Sequence, residues 1–136
     1  MVTYVLDASA ILRFLDGEAG SVRVGEIIKG HLAAQNRIVM AAINWGEVAG
    51  VTYKAHGQAG VDLALSRLSA FGFEITPATE DRAVRAALLK VKLKIAYADA
   101  FAVELALDST DHVLVTADFD LKAAAQQVKI EFLPRK

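Results

Sequence analysis

Cysteine is absent from the 136 residues. That excludes disulfide staples, thiolate metal sites and cysteine nucleophiles, and it suits a reducing compartment. Only two prolines occur, Pro77 and Pro134, and both stand beside expected strand ends. The three histidines, His31, His56 and His112, are scattered, which leaves little from which to build a zinc site. Neither sign of charge dominates: 15 basic against 16 acidic residues give a formal net charge of −1. Any nucleic-acid site must therefore be a local patch rather than a global field. No apolar run approaches the ~18 residues of a membrane span, and no N-terminal stretch joins a basic start to an apolar run. A soluble, cytoplasmic protein with no membrane partner is the expectation.

What is there is abundant core material, 54% of the residues being hydrophobic. A chain of this length predicts one domain spanning 1–136, since domains commonly run ~100–200 residues. Short β-rich runs, VTYVL (2–6), RIVMA (37–41), FEI (73–75), HVLV (112–115) and KIEFL (129–133), alternate with helical stretches. Val24, Ile27, Ile28 and Leu32 share one helical face. So do Val61, Ala64, Leu65 and Leu68, and again Val84, Ala87, Leu88 and Val91. Asn44 and Glu47 have the spacing of a capping box that would start another helix. The stretch from Asp99 to Asp108 is apolar almost all round, as in a buried helix. Strands alternating with helices predict an α/β protein, a three-layer α/β/α domain with a mostly parallel central sheet.

That architecture raises a question about the first acid, in YVLDASA. Asp7 can cap the helix that follows it. Yet the carboxyl ends of parallel strands are also where sites form, near the point at which strand order reverses. Three further acids stand in comparable places: Glu47 in INWGEV, Asp99 in AYADAFAVELA and Asp118 in VLVTADFD. Glu47 can close the capping box, Asp99 can favour a helix N-terminus, and Asp118 can make an Asx-turn. If instead the four gather, their repulsion, about 4 kcal/mol for a pair ~4 Å apart at an effective dielectric of 20, calls for protons or cations. Oxygen ligands suit Mg²⁺ or Mn²⁺.

The ordered set VLDASA, INWGEV, YADAFAVELA and LVTADFD resembles the four acidic motifs of PIN-domain nucleases, and the small size is similar to VapC-type toxins. The resemblance spans essentially the whole chain. It implies a metal-dependent endoribonuclease, the toxin of a type II toxin–antitoxin pair, with Asp7, Glu47, Asp99 and Asp118 as its catalytic acids. In that reading Asp7 and Asp99 ligate Mg²⁺ or Mn²⁺ directly, Asp118 directly or through water, and Glu47 ligates or acts as general base. Ser9 and Thr116 match hydroxyls that support the carboxylates. The implied partners are an RNA substrate, a VapB-like antitoxin lying in an apolar groove beside the acids, and a second copy in a homodimer. Ala117 departs from the family's usual glycine, which leaves the pose of Asp118 open. Asp120 is a substitute ligand or a helix-start charge.

Two rivals stand beside this reading. A receiver-like Mg²⁺-binding signalling module would want paired acids after the first strand and a late lysine, whereas this chain has one acid and another acid. A catalytically inactive PIN-fold binding protein would not need all four. RNA contact would fall to basic residues near the motifs: Lys90, Lys92 and Lys94, Arg82 and Arg85, Lys54 and His56, and Arg13. Trp45 and Tyr97 flank acidic motifs and could stack bases, although core packing is the stronger expectation for Trp45.

Overall fold

The computed structural model describes residues 1–135. The chain runs β1 (Thr3–Leu6), α1 (Ala8–Asp16), α2 (Ser21–Leu32), β2 (Arg37–Ala41), α3 (Ala42–Ser69), β3 (Glu74–Thr76), α4 (Glu80–Leu93) and α5 (Tyr97–Ala106). It ends with β4 (His112–Thr116), a 3₁₀ helix (Phe119–Ala124) and β5 (Lys129–Phe132). The five strands form one parallel sheet in the order β3-β2-β1-β4-β5. Strand order reverses at β1, which is flanked by β2 on one side and β4 on the other.

Each face of the sheet is sealed by its own core. Val5, Val39, Leu114, Ile130 and Phe132 point to the face covered by α4, α5 and the 3₁₀ helix. Leu6, Ile38, Met40, Val115 and Leu133 point to the face covered by α1, α2 and α3. The expected strands are all present, β3 displaced by one residue. The apolar α5 is buried continuously from Ala100 to Ala106, as its composition required.

Local chemistry sets the helix ends. Asp7 caps α1, accepting from the Ala10 amide at 2.9 Å, and Gly17 closes that helix at φ 64°, a conformation costly for a side-chain-bearing residue. Thr79 caps α4. Within α3 the backbone leaves helical geometry at Gly57 (φ 70°, ψ −168°), so α3 is two helices in succession.

Three expectations are corrected. Asn44 and Glu47 do not form a capping box, because α3 starts earlier, at Ala42, with Ala41 at its cap position. Leu32 is exposed, although Val24, Ile27 and Ile28 on the same predicted face are buried. Most consequentially, the face of α4 carrying Val84, Leu88 and Val91 points outward, with these side chains 60%, 66% and 75% exposed. Its inward face is built from Ala83, Ala86, Leu89 and Leu93.

Candidate functional site

The strand register carries Asp7 to the topological switch. Leu6 pairs with Val115, and the Asp7 amide continues the ladder by donating to the Val115 carbonyl at 3.3 Å. Asp7 is thus set opposite Thr116, the last residue of β4. Its side chain is 2% exposed.

Two hydroxyls hold that carboxylate. Ser9 Oγ donates to Asp7 Oδ1 at 2.7 Å while accepting from the Ala117 amide at 2.8 Å. Thr116 Oγ1 donates to Asp7 Oδ2 while accepting from the Asp118 amide at 2.9 Å. Each hydroxyl spends its one proton on Asp7 and is oriented by a backbone N–H of the loop after β4. Asp118 in turn accepts from the Asp120 amide at 2.9 Å, an Asx-turn that starts the 3₁₀ helix. Asp120 contributes this amide at the helix start, and its side chain is exposed. Ala117 does not have positive φ, so the departure from glycine puts no strain on Asp118.

Asp99 lies in the first turn of α5, within reach of the charges of the other acids. Its carboxyl is pushed up to about 7, first by burial, then by the charges of Asp118 and Asp7, a hydrogen bond with Asp118 and the charge of Glu47. Asp7 is pushed up to about 6 by burial, with the charge of Asp118 adding to it; the bonds from Thr116, Ser9 and the Ala10 amide pull the other way. Asp99 thus feels Asp118, Asp7 and Glu47, and Asp7 feels Asp118, at the carboxyl end of the sheet. Glu47, exposed on α3, is the outermost.

Asn44, read from sequence as a cap, links the helices behind this cluster. It is 1% exposed, and its Nδ2 donates to Glu47 Oε1 at 3.2 Å and to the Ala98 carbonyl at 3.0 Å. Its Oδ1 is buried without a partner. The only signal for this role in the sequence was an amide three residues before Glu47, which the capping motif explained away.

Most expected cationic and aromatic contacts are engaged elsewhere. Arg82 donates to Glu104 at 2.9 Å and to Asp108 at 2.7 Å, and Arg85 donates to Glu104 at 3.0 Å. Arg13 donates to the Ala19 carbonyl at 3.0 Å, tying down the loop after α1. The Tyr97 hydroxyl donates to the Ala83 carbonyl at 3.1 Å, and its ring lies against Phe101. Trp45 packs against the core, as expected. Lys54, His56, Lys90, Lys92 and Lys94 are exposed.

The donor set suits a hard cation. Among the described residues no group of three or more His, Cys, Asp or Glu side chains is disposed to hold a metal ion as they stand. An all-protein cage is not what Mg²⁺ needs, because it keeps several waters and binds through one or two carboxylates together with substrate phosphate. Four carboxylates with no cationic side chain bonded to them among the described residues, two of them pushed up by burial and neighbouring charge, fit that mode.

The family model for the PIN domain matches residues 4–127. No curated protein matches the chain. Among solved structures the fold is similar to VapBC2 from Rickettsia felis bound to a promoter DNA fragment, with a TM-score of 0.73, 16% identity, and 98% of this chain and 100% of that one covered. It is also similar to VapBC-1 from nontypeable Haemophilus influenzae (TM-score 0.68, 17% identity, 96% and 98% covered). A toxin–antitoxin complex from Klebsiella pneumoniae matches with a TM-score of 0.63 and 23% identity over 94% of this chain and 95% of that one. Among the described residues no helix is long and apolar enough to cross a membrane.

Proposed function

Since this chain belongs to the PIN domain family, we propose that it is a metal-dependent endoribonuclease acting as the toxin of a toxin–antitoxin pair. What supports the reading is the buried Asp7 carboxylate at the switch point, its two oxygens held by Ser9 and Thr116, together with the charges of Asp118, Asp7 and Glu47 that add to burial in pushing Asp99 up. Asp7, Asp99 and Asp118, with Glu47 at the rim, would hold Mg²⁺ or Mn²⁺. Such an ion, when bound, offsets phosphate charge and lowers the pKa of a coordinated water.

The side chains divide the remaining work. Ser9 and Thr116 keep both oxygens of Asp7 fixed, so the buried carboxylate presents one geometry. Glu47, exposed and held at one oxygen by Asn44, would take a proton from the attacking water as general base. Water oxygen bonds to phosphorus, the bond from phosphorus to the 3′ oxygen breaks, and the departing oxygen is protonated. The products are a 5′-phosphate and a 3′-hydroxyl. Lys54, Lys90 and Lys94 supply exposed positive charge for the RNA backbone.

An apolar groove of about 480 Å³ between α1 and the two halves of α3 gives the antitoxin a place to lie. Leu12 and Leu15 form one wall, and Val51, Ala55, Leu63 and Ala64 the other. Val51 and Leu63 are more than half exposed there. A basic side chain of the antitoxin reaching the acids would compete with the cation.

The deciding experiment is RNA cleavage by the purified chain. Cleavage with Mg²⁺ or Mn²⁺ that stops in excess EDTA is expected; cleavage undiminished by chelator overturns the mechanism. A chain that cuts no RNA with either ion belongs instead to the binding-protein reading.

A further inference from the structure

Trp45 and Tyr97, the aromatic side chains beside the acids in sequence, are both engaged within the fold. A third aromatic, Phe119, follows Asp118 directly as the first residue of the 3₁₀ helix. Its ring stacks on Phe132, with centroids 5.2 Å apart and planes 14° from parallel. Phe132 is paired with Thr116 across the β4–β5 ladder, and the Leu133 amide donates to the Thr116 carbonyl at 2.8 Å. Thr116 is also the residue whose hydroxyl holds Asp7. The two rings are therefore fixed to the frame that carries the acids. They stand on its β5 side, where two strand spacings, about 10 Å, separate Asp7 from Phe132.

Two cations converge on Phe119. The Arg135 guanidinium carbon lies 4.0 Å from the centroid of its ring, and the Lys122 ammonium 5.6 Å from it. Arg23, Arg37, Arg82 and Arg85 are each paired with a carboxylate. Arg135 and Lys122 are exposed and, among the described residues, have no such pairing. Exposed contacts between a cation and a ring stabilise a fold only weakly, so two of them on one ring beside the acids point outward, to a ligand. A nucleotide matches both parts, its base stacking on the ring and its phosphate taking the cations. We infer that Phe119 is the stacking platform for an RNA base next to the cleaved bond, with Arg135 and Lys122 binding the flanking phosphates. The inference rests on the nuclease reading for where that bond lies. In the free protein the guanidinium covers the ring. An arriving base takes that face, and Arg135 turns to the adjoining phosphate. Lys54 and Lys90, on α3 and α4, hold the strand by charge alone. The ring adds the contact that fixes which phosphate faces Asp7.

The test joins binding to cleavage. A fluorescently labelled single-stranded RNA is titrated with the full chain in EDTA at low salt, where nothing is cut, and cleavage is measured separately with Mn²⁺. Phe119→Leu, which keeps an apolar side chain on Phe132, should weaken binding about tenfold, the size of one stacked base lost. Its KM should rise by a similar factor while kcat stays near the parent's, and Phe119→Tyr should restore both. Arg135→Gln and Lys122→Gln, at exposed positions, should each weaken binding a few-fold and flatten its dependence on salt. Removing one base at a time from the RNA should reveal a position beside the cut whose loss weakens the parent but costs Phe119→Leu nothing further. A Phe119→Leu variant that binds and cuts RNA as the parent does overturns the platform and leaves the nuclease reading intact. RNA that is bound through Phe119 but cut with neither Mg²⁺ nor Mn²⁺ does the opposite. A parent that binds no RNA, or equal losses in Phe119→Tyr and Phe119→Leu, also overturns the platform. Circular dichroism of each variant keeps misfolding from imitating lost affinity.

Discussion

Two carboxylates in this molecule are almost equally buried and live in opposite electrostatic worlds. Glu104, 3% exposed in the last turn of α5, is met by Arg82 and Arg85, and Arg82 extends the network to Asp108. Asp7, 2% exposed at the end of β1, is met by two hydroxyls and a backbone amide, with other carboxylates beyond them. The first negative charge is neutralised by the protein itself. The second is oriented but not neutralised. Burial alone therefore does not distinguish an acid tied into an ion-pair network from one left unpaired; the sign of what surrounds it does.

The widest separation between the two should come from removing each charge. Asp7→Asn should lower RNA cleavage by about a hundredfold or more, since even the groups that merely support a metal ligand contribute 10–100-fold. Its fold should survive, because the amide keeps the shape while removing like-charge repulsion. Glu104→Gln should do the reverse. It should cost about 2 kcal/mol of stability, as a lost charged hydrogen-bond pairing does, and leave the rate per folded molecule near that of the parent. Cleavage assays paired with denaturant melts of both variants check this. Equal loss of cleavage in the two would mean that Glu104 has been assigned the wrong role.

Acidity should sharpen the same contrast. Asp7 at about 6 and Asp99 at about 7 both lie above the ordinary carboxylate value of 3.8, so the folded protein binds protons more tightly than the unfolded chain. Stability without metal should therefore fall as pH rises from about 4 through 7, and return as pH is lowered. The shift of Asp7 alone corresponds to about 3 kcal/mol at pH 8. Half-buried Asp99 adds less than its shift implies, because solvent screens it. Added Mn²⁺ should raise the melting temperature more at pH 8 than at pH 5, where protons already occupy the carboxylates. Thermal melts at the two pH values, with and without Mn²⁺, measure this directly. A stability that rises with pH across this range would show that Asp7 and Asp99 are not held in the buried surroundings the structure gives them.

How far the sequence revealed this depended on whether one signal had one meaning. The strands were legible because short β-branched runs between helical segments have few alternatives, and RIVMA is β2 residue for residue. Asp7 caps α1, as its position allowed, and the cap uses one lone pair of Oδ1 at the carboxyl end of β1, which leaves the proposed ligand role open to the same carboxylate. The outward face of α4 was misassigned because that helix carries two apolar stripes. Periodicity favours the bulkier Val84, Leu88 and Val91, yet the small Ala83 and Ala86 turn inward toward an alanine-rich α5. Arg82 and Arg85, expected to bind RNA, were lost to Glu104 for a related reason: sequence counts charges without showing which of them pair.

Asn44 is where a local motif concealed a tertiary role, and it carries the smallest and most specific prediction. Its amide cannot be turned around, because Oδ1 would then face the oxygens of Glu47 and Ala98, acceptor against acceptor. Nδ2 therefore bridges α3 to α5, fixing Glu47 relative to the turn that bears Asp99. The geometry leaves Oδ1 buried without a partner, a cost that packing alone gives no reason to bear. Asn44→Ala removes both bonds while relieving that cost, so the net loss of stability should be about 1 kcal/mol. Glu47, no longer held, should work less well as a base, and kcat should fall about tenfold while KM for RNA stays near the parent's. Asn44→Asp should be worse on both counts, because it sets a second carboxylate beside Glu47 and aims an acceptor at the Ala98 carbonyl. A stability loss without the change in kcat would reduce Asn44 to a link between two helices.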